Sequence, residues 1–151
     1  MLFGNLFLEH KSKEERNFTV KNLDLRNLAH LGDAVFDLYQ RERQLLDAVT
    51  VNSMHKKVVN RVNSKEQARL LHILRPQLTE EESDIVRRAR NLKTAGFRKN
   101  VEQSTLRQAT AFEALVGYLY LTDETRLQSV LNMTESDLHT SNQSDDLETK
   151  T

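Results

Sequence analysis

Two acidic residues lie inside the most apolar stretches of this 151-residue chain. Asp33 follows Gly32 in LAHLGDAVFDL, and Glu113 lies four residues before Gly117 in TAFEALVG. Both stretches have apolar residues at helical spacing. A glycine inside a helix costs about 1 kcal/mol relative to alanine, and a carboxylate at the edge of an apolar face loses solvation unless it has a partner. Two such unfavourable choices, made together in both stretches, indicate a functional site.

Asp33 and Glu113 would come together if their helices packed against each other, although 80 positions (113 − 33) separate them. Two converging carboxylates in a helical bundle are a common way to hold Mg²⁺, which prefers oxygen ligands and retains water. The alternative is that each acid pairs with an arginine or caps a neighbouring helix. The residue pattern alone leaves both interpretations open.

A basic block lies between Asp84 and Glu102, with no acid inside it. Its members are Arg87, Arg88, Arg90, Lys93, Arg98 and Lys99. Cations at the end of a helix and in the following loop suit contact with a phosphate backbone, which supplies the sequence-independent part of nucleic-acid affinity. The alternative is a solvated face whose arginines pair with the acids of residues 80–84, one turn away.

Several classes of site are excluded by composition. The chain has no cysteine, which excludes disulfides and thiolate metal sites. Its five histidines include no pair at the spacing of a zinc site, and neither a glycine-rich phosphate loop nor a Gly-x-Ser-x-Gly motif occurs. Apolar runs are far shorter than a membrane span. We therefore expect a soluble cytoplasmic protein without membrane contact.

The elements that must position these residues are helices. One proline, four glycines and the absence of alternating apolar and polar residues predict an all-α protein. Periodicity predicts helices over about 24–46, 52–60, 65–74, 80–91, 105–121 and 124–133. Predicted N-terminal caps are Asp24, Ser64 with Gln67, Thr79 with Glu82, and Asp123. The helix over 105–121 is the most apolar, so we expect it to be central and to pack against the first.

The chain divides into three predicted regions: an N-terminal extension in which no periodicity persists and whose order stays open (1–22), a helical domain (23–133) and a disordered acidic tail (134–151). The tail has five acids and one lysine, a net charge of −4. Because the whole chain has 22 basic and 22 acidic residues, the remainder has 21 against 17, a net charge of +4. A modestly basic body is compatible with a polyanionic partner.

The segment over residues 28–38, LAHLGDAVFDL, resembles the signature helix of the ribonuclease III family, and TAFEALVG resembles that family's second carboxylate helix. Residues 85–100, IVRRARNLKTAGFRKN, are similar to the short bacterial branch called Mini-ribonuclease III. All three motifs occur in the family's order, and the resemblance covers about 25–131.

This resemblance implies a helical nuclease domain that acts as a homodimer and cleaves double-stranded RNA with Mg²⁺, leaving 5′-phosphate and 3′-hydroxyl ends. It implies Asp33 as the catalytic aspartate and Glu113 as a metal-binding glutamate. The implied substrate is the precursor of large-subunit ribosomal RNA, and a ribosomal protein could help to position it. Candidate RNA-binding residues, from the basic block and the shared segment, are Arg87, Arg88, Arg90, Asn91, Lys93, Lys99 and Asn100.

The chain departs from full-length ribonuclease III at two acidic positions, where it has Ala29 and Thr110. This leaves two inherited carboxylates, so the number of metal ions stays open. Asp37, one turn after Asp33, could supply another oxygen or be an ordinary exposed residue. The usual double-stranded-RNA-binding domain is also not expected, because only about 20 residues follow 131.

We predict a Mg²⁺-dependent, double-strand-specific endoribonuclease. The first alternative is a catalytically inactive module of the same fold that binds structured RNA or assists ribosome assembly. The second is a structural helical protein without a role in RNA metabolism. Two embedded acids favour the enzyme over the first alternative, and the basic block weighs against the second.

Overall fold

The computed structural model describes residue 6, residues 12–93 and residues 102–145, the last nine of them as backbone only. Every regular element in these ranges is helical, which confirms the predicted all-α class. The helices are α1 (Lys13–Lys21), α2 (Leu25–Gln44), α3 (Val51–Val62), α4 (Ser64–Leu74), α5 (Glu80–Arg90), α6 (Gln103–Thr122) and α7 (Glu124–Asp145), with a 3-10 turn at Arg75–Gln77 between α4 and α5.

Helix α6 is the centre of the bundle, as its apolar sequence predicts. It contacts α1, α2, α4, α5 and α7, and eleven of its twenty residues are buried. Helix α2 presents one face to it, through buried residues at helical spacing that include Leu25, Leu28 and Phe36. The ring of Phe36 meets that of Phe112 on α6 edge-on, with centroids 4.9 Å apart. The two helices that bear the carboxylates therefore form the core of the molecule.

Most helix starts follow the predicted capping residues. The Asp24 carboxylate accepts from the Arg26 amide at 2.8 Å, and Thr79 with Glu82 forms a reciprocal capping box. The prediction for α4 is wrong by one residue. Asn63, not Ser64, is its N-cap, and the Asn63 side chain accepts from the Glu66 amide at 3.0 Å. Asparagine and serine are equally good caps, so propensity did not distinguish them.

Helix α1 lies within the N-terminal extension, where no persistent periodicity predicted a helix. Ser12 and Glu15 form a reciprocal capping box, with both bonds at 3.1 Å. Val20 is fully buried and α1 contacts α6. A single buried apolar residue produces no visible periodicity, although it anchors the helix to the core.

Helix α7 continues to Asp145, beyond the predicted end at residue 133 and into the region predicted to be disordered. The side chains of this extension are described as far as residue 136, and two of them pack against the bundle. Thr134 is buried, and the Glu135 carboxylate accepts from Arg61 on α3 at 2.9 Å. These contacts hold the start of the extension against the bundle, beyond the point where the apolar periodicity ends.

None of the helices in the described ranges combines the length and apolar character needed to cross a bilayer.

Candidate active site

The crossing of α2 and α6 brings the two carboxylate-bearing segments together. A β-carbon added to Gly32 would lie 1.7 Å from the backbone oxygen of Glu113, and one added to Gly117 would lie 2.1 Å from the backbone oxygen of Leu28. Real β-carbons are not found within 3.0 Å of such atoms. Both positions therefore require glycine, because only its absent side chain lets the two backbones touch. Each glycine is unfavourable for helix stability, but its lack of a side chain is what allows the two helices to approach so closely.

Asp33 and Glu113 flank this crossing and line one open pocket of about 390 Å³. Asp33 is exposed, and Glu113 is half-buried. The pocket, called here the carboxylate pocket, is lined by Arg26, Ala29, His30, Asp33, Leu92, Lys93, Thr110 and Glu113. The predicted convergence of the two acids across 80 positions is thus present in the structure.

The donor set of this pocket fits a hard divalent cation better than zinc. Within the described residues, no group of three or more histidine, cysteine, aspartate or glutamate side chains could hold a metal ion. Mg²⁺ requires less than such a cage, since it is commonly bound through one or two carboxylates and keeps several water ligands. Asp33 and Glu113 could supply those oxygens in an open pocket that leaves room for water.

The two departures from the full-length family pattern also line the carboxylate pocket. Ala29 contributes a small apolar surface and is 4% exposed. Thr110 contributes no carboxylate, and its hydroxyl donates to the Leu106 carbonyl at 3.0 Å on its own helix. Asp37, the other residue considered as an oxygen ligand, pairs with Arg41 at 2.6 Å. This bond gives Asp37 an ordinary structural partner outside the pocket.

The basic block is divided by the fold into groups with different surroundings. Lys93 lines the carboxylate pocket. Arg87 and Arg88 both form ion pairs with Asp84, at 2.5 and 3.7 Å. For these two residues the alternative interpretation from the sequence, pairing with acids one turn away, is therefore confirmed. Arg88 also donates to the Lys21 carbonyl at 3.0 Å, which ties α5 to the end of α1.

A groove of about 640 Å³ lies beside the carboxylate pocket. Three arginines and one aspartate give it a net positive charge, and we call it the arginine groove. It is lined by Asn22, Leu23, Asp24, Leu25, Arg26, Arg87, Arg88, Asn91 and Leu92. Arg26 and Leu92 line both the groove and the carboxylate pocket, so the two are adjacent.

Of the remaining candidates for RNA binding, the structure describes only Arg90, which does not line the carboxylate pocket. Arg90 is half-buried and lines a separate pocket with Arg75 and Ser83. Lys99 and Asn100 lie outside the described residues. Their predicted contact with RNA stays a prediction.

Two residues of the carboxylate pocket were missed by the sequence reasoning. Arg26 precedes Asp33 by seven residues and His30 precedes it by three. Both spacings place a side chain on the face of α2 that bears Asp33, two turns and one turn away. This helical periodicity is the signal in the sequence that could have identified both residues.

Other buried charges hold the bundle together at a distance from the pocket. Arg126 on α7 donates to both carboxylate oxygens of Glu82 on α5, at 2.7 and 2.9 Å, and to the Gln77 carbonyl at 2.8 Å. Burial alone would raise the pKa of Glu82, but the bonds from Arg126 and Thr79 together hold this pKa below its usual value. Glu82 is therefore a structural acid.

Comparison with known proteins identifies the family. The Ribonuclease III domain model matches residues 26–124. The chain is 46% identical to Mini-ribonuclease 3 of Symbiobacterium thermophilum over 106 residues, which cover 69% of this chain and 82% of the relative. It is 42% identical to Mini-ribonuclease 3 of Gloeobacter violaceus over 120 residues, covering 80% and 88% of the two chains.

The fold is also similar to a crystal structure of a protein from Fusobacterium nucleatum. The TM-score is 0.70 at 28% sequence identity, and the match covers 78% of this chain and 97% of that one. The helix contact at the two glycines, the two carboxylates in one pocket and the similarity to these relatives all indicate the same family. The chain belongs to the ribonuclease III family of endoribonucleases, in its Mini-ribonuclease 3 branch.

Proposed function

We propose that this protein cleaves double-stranded RNA in a Mg²⁺-dependent reaction that leaves 5′-phosphate and 3′-hydroxyl ends. The observation that carries the proposal is the contact of α2 and α6 at Gly32 and Gly117, which puts Asp33 and Glu113 in one open pocket. The membership of this chain in the ribonuclease III family supports the same activity. The proposed substrate is the precursor of large-subunit ribosomal RNA, cleaved in the cytoplasm.

Asp33 and Glu113 are the proposed ligands of the cation, and Asp33 is the proposed catalytic residue. A divalent cation bound there would activate a water molecule as nucleophile and stabilise charge on the attacked phosphate. Asp33 is exposed at the pocket, where an RNA strand can reach it. Glu113 is half-buried and lies on the central helix α6, which fixes the position of its backbone. The backbone contact at Gly32 fixes the distance between the two helices that bear them.

Lys93 is the proposed RNA contact nearest to the carboxylates, since it is exposed and lines the same pocket. Asn91 is exposed in the adjoining arginine groove. Arg87 and Arg88 line this groove too, although their pairing with Asp84 offsets part of their charge. Contacts of this kind would bind the phosphate backbone without reading sequence.

We also propose that the active form is a homodimer, which a ribosomal protein could help to place on the RNA. Large apolar side chains are exposed where α2 connects to α3, and exposed apolar clusters commonly mark protein interfaces. The exposed fractions are 63% for Leu45, 94% for Leu46, 94% for Val49 and 88% for Val51.

The decisive experiment compares the wild type with Asp33→Asn and Glu113→Gln, using a fully paired RNA with Mg²⁺ and analysis of the product ends. We expect both variants to lose at least about 100-fold in cleavage rate, because each removes a charged oxygen ligand. Asp37→Asn is the matched control, since Asp37 lies one turn from Asp33 and pairs with Arg41. It should retain the wild-type rate.

Three outcomes would count against the proposal. Cleavage at the wild-type rate by Asp33→Asn would refute the catalytic assignment. Binding of paired RNA by the wild type without any cleavage would favour an inactive RNA-binding module. Absence of both binding and cleavage at low salt would favour a structural helical protein.

A further inference from the structure

We infer that Arg26 binds a phosphate of the RNA and thereby aligns the strand between the arginine groove and the carboxylate pocket. This inference rests on the proposed function, because it concerns the substrate of the same site. Arg26 lines both cavities, a position that it shares with the apolar residue Leu92 alone among their described lining residues. A strand that passes from the groove to the carboxylates would therefore pass Arg26.

The spacing along α2 suits this role. Arg26 lies seven residues before Asp33, which is two helical turns and about 10 Å along the axis. The two side chains are on the same face but too far apart along the helix to neutralise each other as an ion pair. His30 lies between them and lines the same pocket. A cation at this distance would engage a phosphate a few nucleotides from the one under attack.

The existing contacts of Arg26 leave most of its binding capacity available. Its Nη2 donates to the Lys93 carbonyl at 3.4 Å, and its Nη1 lies 3.8 Å from an Asp24 carboxylate oxygen. Both contacts are long, and the side chain is 58% exposed. Exposed ion pairs of this kind contribute little, and a guanidinium has five N–H donors.

The other two arginines of the groove are more strongly engaged. Arg87 donates to Asp84 at 2.5 Å, and Arg88 donates to the Lys21 carbonyl at 3.0 Å while lying near the same aspartate. The side chain of Arg88 is also only 32% exposed. Of the three, Arg26 therefore has the weakest existing contacts, and it alone lines the carboxylate pocket.

A purely structural role for Arg26 is the competing explanation, since its bond to Lys93 connects α2 to the segment after α5. Two substitutions separate the roles. Arg26→Gln retains an N–H donor for the Lys93 carbonyl but removes the charge. Arg26→Lys retains the charge but loses the planar fork. If Arg26 binds phosphate, RNA affinity and its dependence on salt must follow the charge.

The experiment measures the dissociation constant for a fully paired RNA without divalent metal at several salt concentrations, together with thermal unfolding of each variant. We expect Arg26→Gln to weaken binding by about tenfold at low salt and to lower the slope of log affinity against log salt by about one. Arg26→Lys should keep the wild-type slope. Arg69→Ala is the control, because Arg69 is exposed and pairs with Glu66 within its own helix, as Arg26 pairs with a nearby acid. Its slope should equal that of the wild type.

Any other pattern overturns the inference. A wild-type slope in Arg26→Gln, or an equal loss in both variants, would assign Arg26 to structure and not to RNA. Cleavage of the same RNA by the wild type in Mg²⁺ is measured in parallel. Normal cleavage with an unchanged slope in Arg26→Gln refutes only the role of Arg26, whereas a wild type that neither binds nor cleaves refutes the proposed function and this inference together.

Discussion

The glycine contact between α2 and α6 can be tested by adding one methyl group, in Gly32→Ala. The new β-carbon would lie 1.7 Å from the backbone oxygen of Glu113 and 2.8 Å from the backbone nitrogen of Gly117, whereas ordinary contact begins at 3.4 Å. Relief of the first overlap requires a separation of 3.4 − 1.7 = 1.7 Å. Both atoms are backbone atoms of the central helix, so no side chain can rotate away.

The net effect on stability is a difference of two opposing terms. Alanine is favoured over glycine in a helix by about 1 kcal/mol, while overpacking of a dense core costs typically about 1–3 kcal/mol and more where backbone must move. Since the overlap is with backbone, we expect Gly32→Ala to lower the free energy of unfolding by at least about 2 kcal/mol. Denaturant unfolding followed by circular dichroism measures this value.

Ala34→Gly calibrates the helical term, since Ala34 is exposed on the same helix two residues later. This control should lose about 1 kcal/mol and retain activity. Gly32→Ala should also lower cleavage by about 100-fold in molecules that remain folded, because a displacement of the order of 1 Å has this effect on a catalytic arrangement. A Gly32→Ala variant that is more stable than the wild type, by the amount that Ala34→Gly loses, would refute the close contact.

Three further predictions concern the support of the bundle and its assembly. Arg126→Met should lower the free energy of unfolding by about 3 kcal/mol, because the substitution leaves the buried Glu82 carboxylate without its partner. Urea unfolding at pH 7 measures this loss, and a change below about 1 kcal/mol would contradict the expected cost of burying an unpaired charge. Because the pKa of Glu82 is lowered in the folded protein, the contribution of Glu82 to stability should be complete above pH 4.5 and decline as the pH falls through the lowered pKa. Glu82→Gln should flatten this part of the curve of stability against pH, and an unchanged curve would exclude Glu82 as the source of the pH dependence. Leu46→Glu should convert the proposed dimer to a monomer, because the substitution puts a charge among the exposed apolar side chains between α2 and α3. Light scattering after size-exclusion chromatography measures the mass, and an unaltered mass would place the dimer contact elsewhere.

The sequence predicted those features that depend on a short stretch of chain. Thr79 with Glu82 produced a capping box at α5, and the apolar pattern of 105–121 identified the central helix. The extent of the last helix, which involves a distant partner, was missed. Helix α7 continues beyond its apolar periodicity, and Glu135 in that continuation pairs with Arg61, a residue 74 positions earlier. Glu135 was counted only as one acid of a charged tail.

The candidate site divides in the same way. Asp33 and Glu113 could be predicted because each carries a local anomaly, an acid with a nearby glycine in an apolar helix. Arg26 has no such anomaly, since an exposed arginine in the first turn of a helix is ordinary. The role proposed for Arg26 depends on the tertiary structure, in which Arg26 on α2 and Leu92 after α5 line both the groove and the pocket.

The positions of the two glycines explain why this site depends on the packing of the whole bundle. Gly32 precedes Asp33 directly, and the backbone that Gly32 contacts is that of Glu113 itself. The closest approach of the two helices therefore occurs at the residues proposed to share a cation, with no intervening side chain to adjust the distance. Oxygen ligands for Mg²⁺ must be positioned closely, because the ion demands near-ideal octahedral geometry. Substitutions that loosen α6 anywhere along its contacts should consequently reduce catalysis before they unfold the protein, while contacts to RNA phosphates, which are on exposed side chains, should tolerate the same change.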